Sequence, residues 1–427
     1  MKELDADLHC HGRYAGGVSR NMEIPVLAEQ SRLKGLGLLA TGDIIHGEWL
    51  LHAKRTLEEE SNGVYRDREA KCHFILGGEI EDDKRIHHLY YLPSLEKAGE
   101  LREKVKGLGA LDCSMCGRPK LRINAEKFAE FVHDLGGIFG PAHSFTPYTG
   151  IYAHFDSLKE AYGKMHEHLS FIELGLSADT NMADTMKENH SYSFLSSSDA
   201  HSPWPNRIGR EFNRIKMKEP GFKALKLALE SRDEEGKTIT LNAGLNPREG
   251  KYHCTACESC FAKYSAEQAE QLKWKCLKCR GNIKRGVRDR ITMLSDTEEG
   301  KHPGFRPPYL HLLPLAEIIQ LAEGAKSTNT KKVQSKWIEF VEKFGNEINA
   351  LVDTDEAELA EVDTNVAKHI ASFRKGLVLY IPGGGGNYGK PIICASEEEM
   401  ERKKKELAAE LSGVSEISNQ KTLGQFL

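Results

Sequence analysis

Imidazoles and carboxylates at two-residue spacing are the first residues in this sequence equipped for chemistry. His9-Cys10-His11 closes the stretch Leu4-Asp5-Ala6-Asp7-Leu8. Successive side chains of a strand alternate between faces, so His9 and His11 share a face with Asp5 and Asp7, while Leu4, Ala6, Leu8 and Cys10 take the other. An imidazole pair backed by carboxylates suits a divalent metal. A second pair, Asp199-Ala200-His201, follows Ser196-Ser197-Ser198 far downstream. Two such pairs in one chain argue for a shared site against an edge strand with a wet polar face.

Single candidates stand between them: Asp43 after Gly42, Glu79 after Gly77-Gly78, the His87-His88 doublet, and His143 after Pro141-Ala142. Glu79 interrupts an apolar run, and an unpaired buried charge is so costly that it demands a cation. Strand alternation lets only one of His87 and His88 point inward. Ions held roughly 3.5–4 Å apart can turn a water into hydroxide near neutral pH and neutralise a phosphoryl group in flight. Mixed histidine and carboxylate ligation suits zinc or manganese, whereas magnesium prefers more oxygen. Three loop arginines, Arg13, Arg118 and Arg207, are available to clamp phosphate oxygens.

The elements that must position these side chains lie in residues 1–235, where short apolar runs alternate with amphipathic stretches. Strands are expected over 4–8, 36–41, 74–77, 86–92, 137–140, 171–174 and 193–196. Helices are expected over 25–33, 125–135, 158–167 and 222–229, where apolar residues recur at three- and four-residue spacing. That alternation predicts an α/β fold with a parallel sheet or a β/α barrel. Asp43, Glu79, His143, Asp199 and His201 all fall just past strand ends, where barrel enzymes build their sites.

In that order and at those intervals, His9-Cys-His11, Asp43, Glu79, His88-Leu89, Pro141-Ala-His143 and Asp199-Ala-His201 resemble the polymerase-and-histidinol-phosphatase (PHP) family of metal-dependent phosphoesterases. The resemblance implies a distorted seven-stranded β/α barrel with two or three divalent metals: zinc, magnesium or manganese. It implies that His9, His11, Glu79 and Asp199 hold the first ion, and Glu79, His88 and His143 the second. Asp43 and His201 would hold a third. Here the chain departs from the family pattern: residues 12–20 contain no histidine and Asp43 stands where histidine is commoner, leaving His46 as a substitute ligand.

Ten cysteines fall largely into Cys-x-x-Cys pairs, which in a chain lacking a secretion signal suggest metal ligands. Cys257 and Cys260 with Cys276 and Cys279 match a four-cysteine structural zinc ribbon; Cys254 with Cys257 is the alternative first pair. Such a closed site folds its module without doing chemistry. Cys113 and Cys116 have no partner pair and read as a loop with incidental cysteines. Between Lys273 and Arg290 stand eight basic residues against one acid, Asp289, with Tyr264 and Trp274 near. In a chain of net charge −4, that run is a local footprint for nucleic-acid phosphates.

Beyond the ribbon, helices are expected at Leu315–Ala322, 334–344 and 356–373. The glycine-rich loop Pro382-Gly-Gly-Gly-Gly386-Asn-Tyr388-Gly lacks the Gly-Lys-Ser/Thr ending of a phosphate loop and is expected to pack over the active-site cleft. A charged stretch leads to Gln420, Leu423, Phe426 and Leu427, which resemble the peptide that docks on DNA sliding clamps; one helical turn would align the last three. No run of eighteen apolar residues occurs, so no membrane span is expected. The chain enters a strand by Leu4 without a charged-then-apolar leader, and a cytoplasmic monomer is expected.

The full order of parts resembles the endonuclease Q family. Four domains follow: a PHP barrel (1–235), a zinc ribbon with its basic patch (236–300), a mainly helical domain (301–395) and a tail (396–427). The resemblance implies metal-dependent cleavage of DNA on the 5′ side of uracil, hypoxanthine, xanthine and abasic sites, with Asp199 as the catalytic residue. Arg118, Arg207, Lys278, Arg280, Lys284, Arg285 and Arg288 are the candidate DNA contacts. A small-molecule phosphatase and a non-catalytic DNA adaptor are the competing readings.

Overall fold

Parallel pairing begins at the first strand. Lys2–Asp7 lies beside Leu38–Ala40, which lies beside His73–Glu81. His73–Glu81 then pairs antiparallel with His87–Leu92, and that with Ile138–Pro141. Phe171–Glu173 and Ser193–Leu195 form a separate parallel pair, tied to the preceding strand by a hydrogen bond from Ser170 N to Phe139 O. The computed structural model describes residues 2–69, 72–235 and 237–412. The candidate clamp residues Gln420, Leu423, Phe426 and Leu427 lie outside the described residues.

The strands are apolar on both faces, as a sheet covered on both sides requires. Ala6, Leu38, Ala40, Ile75, Leu89, Phe171 and Leu195 share one cluster with the helix Phe222–Glu230. Leu39, Phe74, Leu76, Tyr90, Phe139, Ile172 and Phe194 share the other with the helices Ile24–Lys34, Gly47–Thr56, Leu95–Val105 and Ala125–Asp134. Each large side chain so buried contributes about 1.5–3 kcal/mol.

The sheet does not stop near residue 235. Phe212–Met217 pairs antiparallel with Lys2–Asp7 on the side away from Leu38–Ala40, Ile239–Gly244 adds to it, and Tyr309–His311 runs parallel to Ile239–Gly244. The cysteine-rich module is thus inserted between two strands of one sheet. Its small core holds Cys257, Ala262, Tyr264, Ala269, Cys276 and Ile283.

Helices Leu315–Ala322, Lys331–Phe344 and Thr364–Arg374 gather a further core around Ile319, Trp337, Phe340 and Ile370. The single helix expected over 356–373 breaks because Asp363 accepts from Val366 N and caps a new start. The glycine-rich loop packs on the ribbon. Cys254 N donates to Gly383 O, and a Cβ on Gly385, at φ 65°, would sit 2.3 Å from Cys257 O. Among the described residues no helix is long and apolar enough to cross a membrane.

One buried ion pair fastens the helical region to the sheet. Lys34 Nζ lies 2.6 Å from Glu347 Oε1 and donates to Pro205 O. Glu347 also accepts from Leu315 N and Trp337 Nε1. Lys34→Ala leaves that carboxylate buried and unpaired, so stability should fall by about 3–5 kcal/mol, seen as a lower thermal unfolding midpoint. An unchanged midpoint would show that the pair does not hold the two parts together.

Candidate active site

His9 and His11 follow the end of Lys2–Asp7 and are knitted to the downstream motif: Ala200 N donates to His9 O and His11 N to Ala200 O. Two distant sequence pairs therefore become neighbouring segments. Each imidazole then has one nitrogen engaged. His9 Nδ1 lies 3.0 Å from both oxygens of Glu173, and His11 Nδ1 lies 3.0 Å from Asp43 Oδ1. With Nδ1 donating, each Nε2 presents a lone pair.

Both Nε2 atoms converge on Asp199. His9 Nε2 and His11 Nε2 lie 3.5 and 3.3 Å from Asp199 Oδ1, and all three atoms are buried without a hydrogen-bond partner. The Glu79 oxygens approach the same imidazoles at 3.8 and 3.4 Å. On its other side Glu79 Oε1 meets His87 Nδ1 at 2.9 Å and His143 Nε2 at 3.0 Å. Two triads, His9, His11 and Asp199 together with Glu79, His87 and His143, thus have the donor spacing to hold metal.

Orphaned polar atoms in a dry pocket are expensive, and a cation would satisfy all three at once. Without one, burial opposes charge on His9, but Glu173, Asp199 and Glu79 outweigh it and raise its pKa well above the ordinary histidine value. His11 is raised likewise, burial being overcome chiefly by Asp43. Burial also opposes ionisation of Glu79 and Asp199, yet His87 and His9 respectively hold both well below the usual carboxylate range. Metal loading must therefore displace protons from the imidazoles.

Backbone strain marks the same place. Asp43, His143 and Asp199 have φ of 48°, 28° and 48°, a region costing a non-glycine residue about 1–3 kcal/mol. Each owes its side-chain direction to that turn.

Several expected roles change. His88 does not face the cluster: its nitrogens lie 2.6 Å from Tyr162 Oη and 3.1 Å from Asp82 Oδ2. Opposed residues of an antiparallel pair share a face, and the register sets His87 against Glu81 and Leu89 against Glu79. His87 therefore joins Glu79, and its Nε2 rests 3.3 Å from Glu81 Oε2. That hydrogen bond leads the causes that push Glu81 down to about 2.

Asp43 belongs to neither triad; it directs His11 through one oxygen, and its other oxygen accepts from Gly12 N at 2.7 Å. His46 caps the helix Gly47–Thr56 and contacts Cys113 O, which removes it as a substitute ligand. His201 stands at the rim, its Nδ1 2.9 Å from Asp199 O and its ring edge-on to His11. Asp5 pairs with Arg214, and Asp7 accepts from Ser198 and Gly209. Cys113 and Cys116 form a disulfide.

Of the arginines, Arg118 reaches the cluster, with Nη1 3.2 Å from Glu79 Oε2. Arg13 is paired with Glu23. Arg207 lines a separate cavity with Trp204 and Ile338. Glu173 escaped the sequence reading: it lies inside the apolar strand Phe171–Glu173, yet it holds His9 and accepts from His143 N at 2.7 Å.

In the ribbon, the sulfurs of Cys257, Cys260, Cys276 and Cys279 lie within 4.8 Å of one another, with Cys257–Cys279 and Cys260–Cys276 each at 3.5 Å. A tetrahedral zinc with Zn–S near 2.3 Å needs sulfurs about 3.8 Å apart, so the set fits. Cys254 is outside it. Around the ribbon, Lys278 and Arg280 are exposed. Lys284 sits over Tyr148, Arg285 over Trp274, and Arg288 beside Asp289. Arg290 is an anchor, donating to Tyr152 O and Phe155 O.

Histidine and carboxylate donors, the imidazoles oriented by buried acids at the end of a mixed α/β sheet, define an enzyme built to hold metal ions. Comparison with known proteins narrows the class. A family model described as the MJ0043 C-terminal domain matches residues 314–377. The uncharacterized protein MJ0043 of Methanocaldococcus jannaschii is 45% identical over 286 residues, 64% of this chain and 35% of that protein; the chain thus spans about a third of that curated relative. The crystal structure of the lesion-specific endonuclease PfuEndoQ from Pyrococcus furiosus superposes with a TM-score of 0.87 at 44% identity, covering 96% of this chain and 99% of that one. A structure of endonuclease Q with a 27-mer duplex carrying an abasic lesion at its active site gives 0.86 at 44% identity, over 94% and 98%. The chain belongs to the endonuclease Q family.

The geometry separates the adjacent histidines. His87→Ala should lower the site's bound-metal count by elemental analysis, whereas His88→Ala should keep it. Equal counts in the two variants would refute the assignment of His87. Adding divalent metal to the metal-free protein should acidify a lightly buffered solution, as His9 and His11 give up protons.

Proposed function

We propose that this chain is a metal-dependent DNA repair endonuclease that hydrolyses the phosphodiester on the 5′ side of deaminated bases (uracil, hypoxanthine and xanthine) and of abasic sites. The observation that carries the reading is the meeting of His9 Nε2, His11 Nε2 and Asp199 Oδ1, buried and partnerless beside Glu79. It is supported by the likeness, over nearly the whole chain, to a lesion-specific endonuclease.

His9, His11, Asp199 and Glu79 would hold one ion, and Glu79, His87 and His143 a second, within a distorted seven-stranded PHP barrel. Ions so held supply Lewis acidity and a nucleophile competent near neutral pH. The chain's own groups do the rest. Glu173 and Asp43 fix the tautomers of His9 and His11. Arg118 brings positive charge to the carboxylate between the triads, where a phosphate must approach. His201 lines the rim.

Zinc on Cys257, Cys260, Cys276 and Cys279 would order the ribbon, whose Lys278, Arg280, Lys284, Arg285 and Arg288 offer phosphate contacts. Reaching a base in a duplex requires flipping it out, at about a few kcal/mol and less for a mispair. Gln420, Leu423, Phe426 and Leu427 are read as a sliding-clamp peptide on their sequence alone.

Incubation with metal and duplexes carrying one uracil or one abasic site should yield a nick 5′ of the lesion, resolved on a sequencing gel. Hydrolysis confined to phosphate monoesters would replace this reading with a phosphatase. Asp199→Ala should reduce cutting to background while lesion-DNA anisotropy stays near the parent's. Loss of DNA binding in step with cutting would remove Asp199 from the chemistry.

Glu173→Gln keeps the shape but weakens the hold on His9. Activity or metal affinity should drop about 10–100-fold, and parent-like values would make Glu173 incidental.

A further inference from the structure

Residues 111–121 cross the mouth of the site as a strap. Asp112 accepts from Gly47 N and pairs with Arg102. Cys113 O meets His46 Nε2, and His46 stacks on Tyr14 at 4.4 Å. Further on, Cys116 bridges to Ala15 and Gly117 N donates to Tyr14 O. A Cβ on Gly117 would lie 2.5 Å from Asp43 Oδ2, so the strap touches the carboxylate that directs His11. Beyond Arg118, Glu81 N donates to Pro119 O and Leu121 N to Glu81 O.

Arg118 therefore hangs between two fixed points, with Nη1 3.2 Å from Glu79 Oε2 and a quarter of its side chain exposed. The run before it is different. Asp112, Cys113, Ser114 and Met115 are exposed, and the turn is closed by the hydrogen bond from Cys116 N to Cys113 O and the disulfide. Closing a loop covalently removes conformational freedom that its ends would otherwise regain.

We propose that the Cys113–Cys116 disulfide is a redox-opened clasp that positions Arg118 on Glu79, so that cutting is fast with the clasp closed and slow with it open. The inference rests on the endonuclease reading above. Opening needs a reductant: a dithiol gives up two electrons and two protons to turn the S–S bond into two thiols and leaves as its disulfide, while a phosphine gives the two electrons, takes oxygen from a water whose two protons go to the thiols, and leaves as its oxide. The exposed Cys113 admits it. Arg118 is a positioning residue, acting through the carboxylate shared by both triads.

The test compares the full-length, zinc-loaded protein before and after a phosphine reductant, on a duplex with one abasic site. Thiol titration reports opening. Expected are a kcat lower by about 10–100-fold, the order of loss when a group that orients a metal ligand is displaced, an unchanged KM, and faster amide exchange confined to residues 111–121. The pair Cys113→Ser with Cys116→Ser should match the reduced parent and ignore reductant. Arg118→Ala should be slow and equally indifferent, and Arg118→Lys should recover part of the rate.

Equal kcat for the oxidised and verifiably reduced parent overturns the clasp, and so does a double-serine variant as fast as the parent. A parent that cuts no lesion in either state overturns the endonuclease reading instead; amide exchange over 111–121 then decides the clasp alone.

Discussion

The engagement of one nitrogen on His9 and His11 by buried carboxylates is the constraint from which the rest of the site follows. Glu173 holds His9 and Asp43 holds His11, so both rings must turn Nε2 toward Asp199. Four acids, Asp43, Glu79, Glu173 and Asp199, thereby share one largely dry volume with four imidazoles. Negative charge at that density is tolerable only if protons or cations balance it. The left-handed turns at Asp43, His143 and Asp199 make sense on the same ground: the strain is offset by the polar contacts it makes possible.

Around this centre the other parts sit on a single frame. The ribbon is an insertion between Ile239–Gly244 and Tyr309–His311, both within the main sheet, so its basic face is referenced to the strands that carry the site. Arg290 and the Tyr148–Glu258 hydrogen bond tie its near side to the loops after His143. The glycine-rich loop grips its far side, which requires backbone approach too close for any side chain at Gly385. A closed four-sulfur centre cannot do chemistry. Its contribution is to keep a small module from unfolding where hydrophobic burial is scarce.

Much of the centre was legible because strand alternation and position past strand ends are local properties. His9, His11, Glu79, His143 and Asp199 follow from those rules, and the structure brings them together. His87 was not recoverable, since choosing it over His88 requires the register between His73–Glu81 and His87–Leu92, which is a tertiary fact. Glu173 was hidden by its company, an acid closing an apolar strand with no second polar residue to mark it. His46 was read as a substitute ligand because sequence shows residue types but not which nitrogens are already committed. Phe212–Met217 and Ile239–Gly244 were missed as sheet extensions because their polar residues interrupt the apolar run expected of a covered strand. The ribbon contact of the glycine-rich loop was hidden because glycines permit close backbone packing without marking which backbone they meet.

The exposure of the cluster restricts how a substrate can meet it. His9, His11 and Glu79 are almost wholly enclosed, whereas Asp199 is 29% exposed, His201 36% and Arg118 25%. A phosphate can therefore reach the enclosed donors only across that rim, passing an acid, an imidazole and a guanidinium in turn. A carboxylate facing an incoming phosphate is repulsive unless positive charge is already bound to it. Approach is thus unfavourable to the metal-free site and favourable to the loaded one, which makes metal occupancy a condition for phosphate entry as well as for bond breaking.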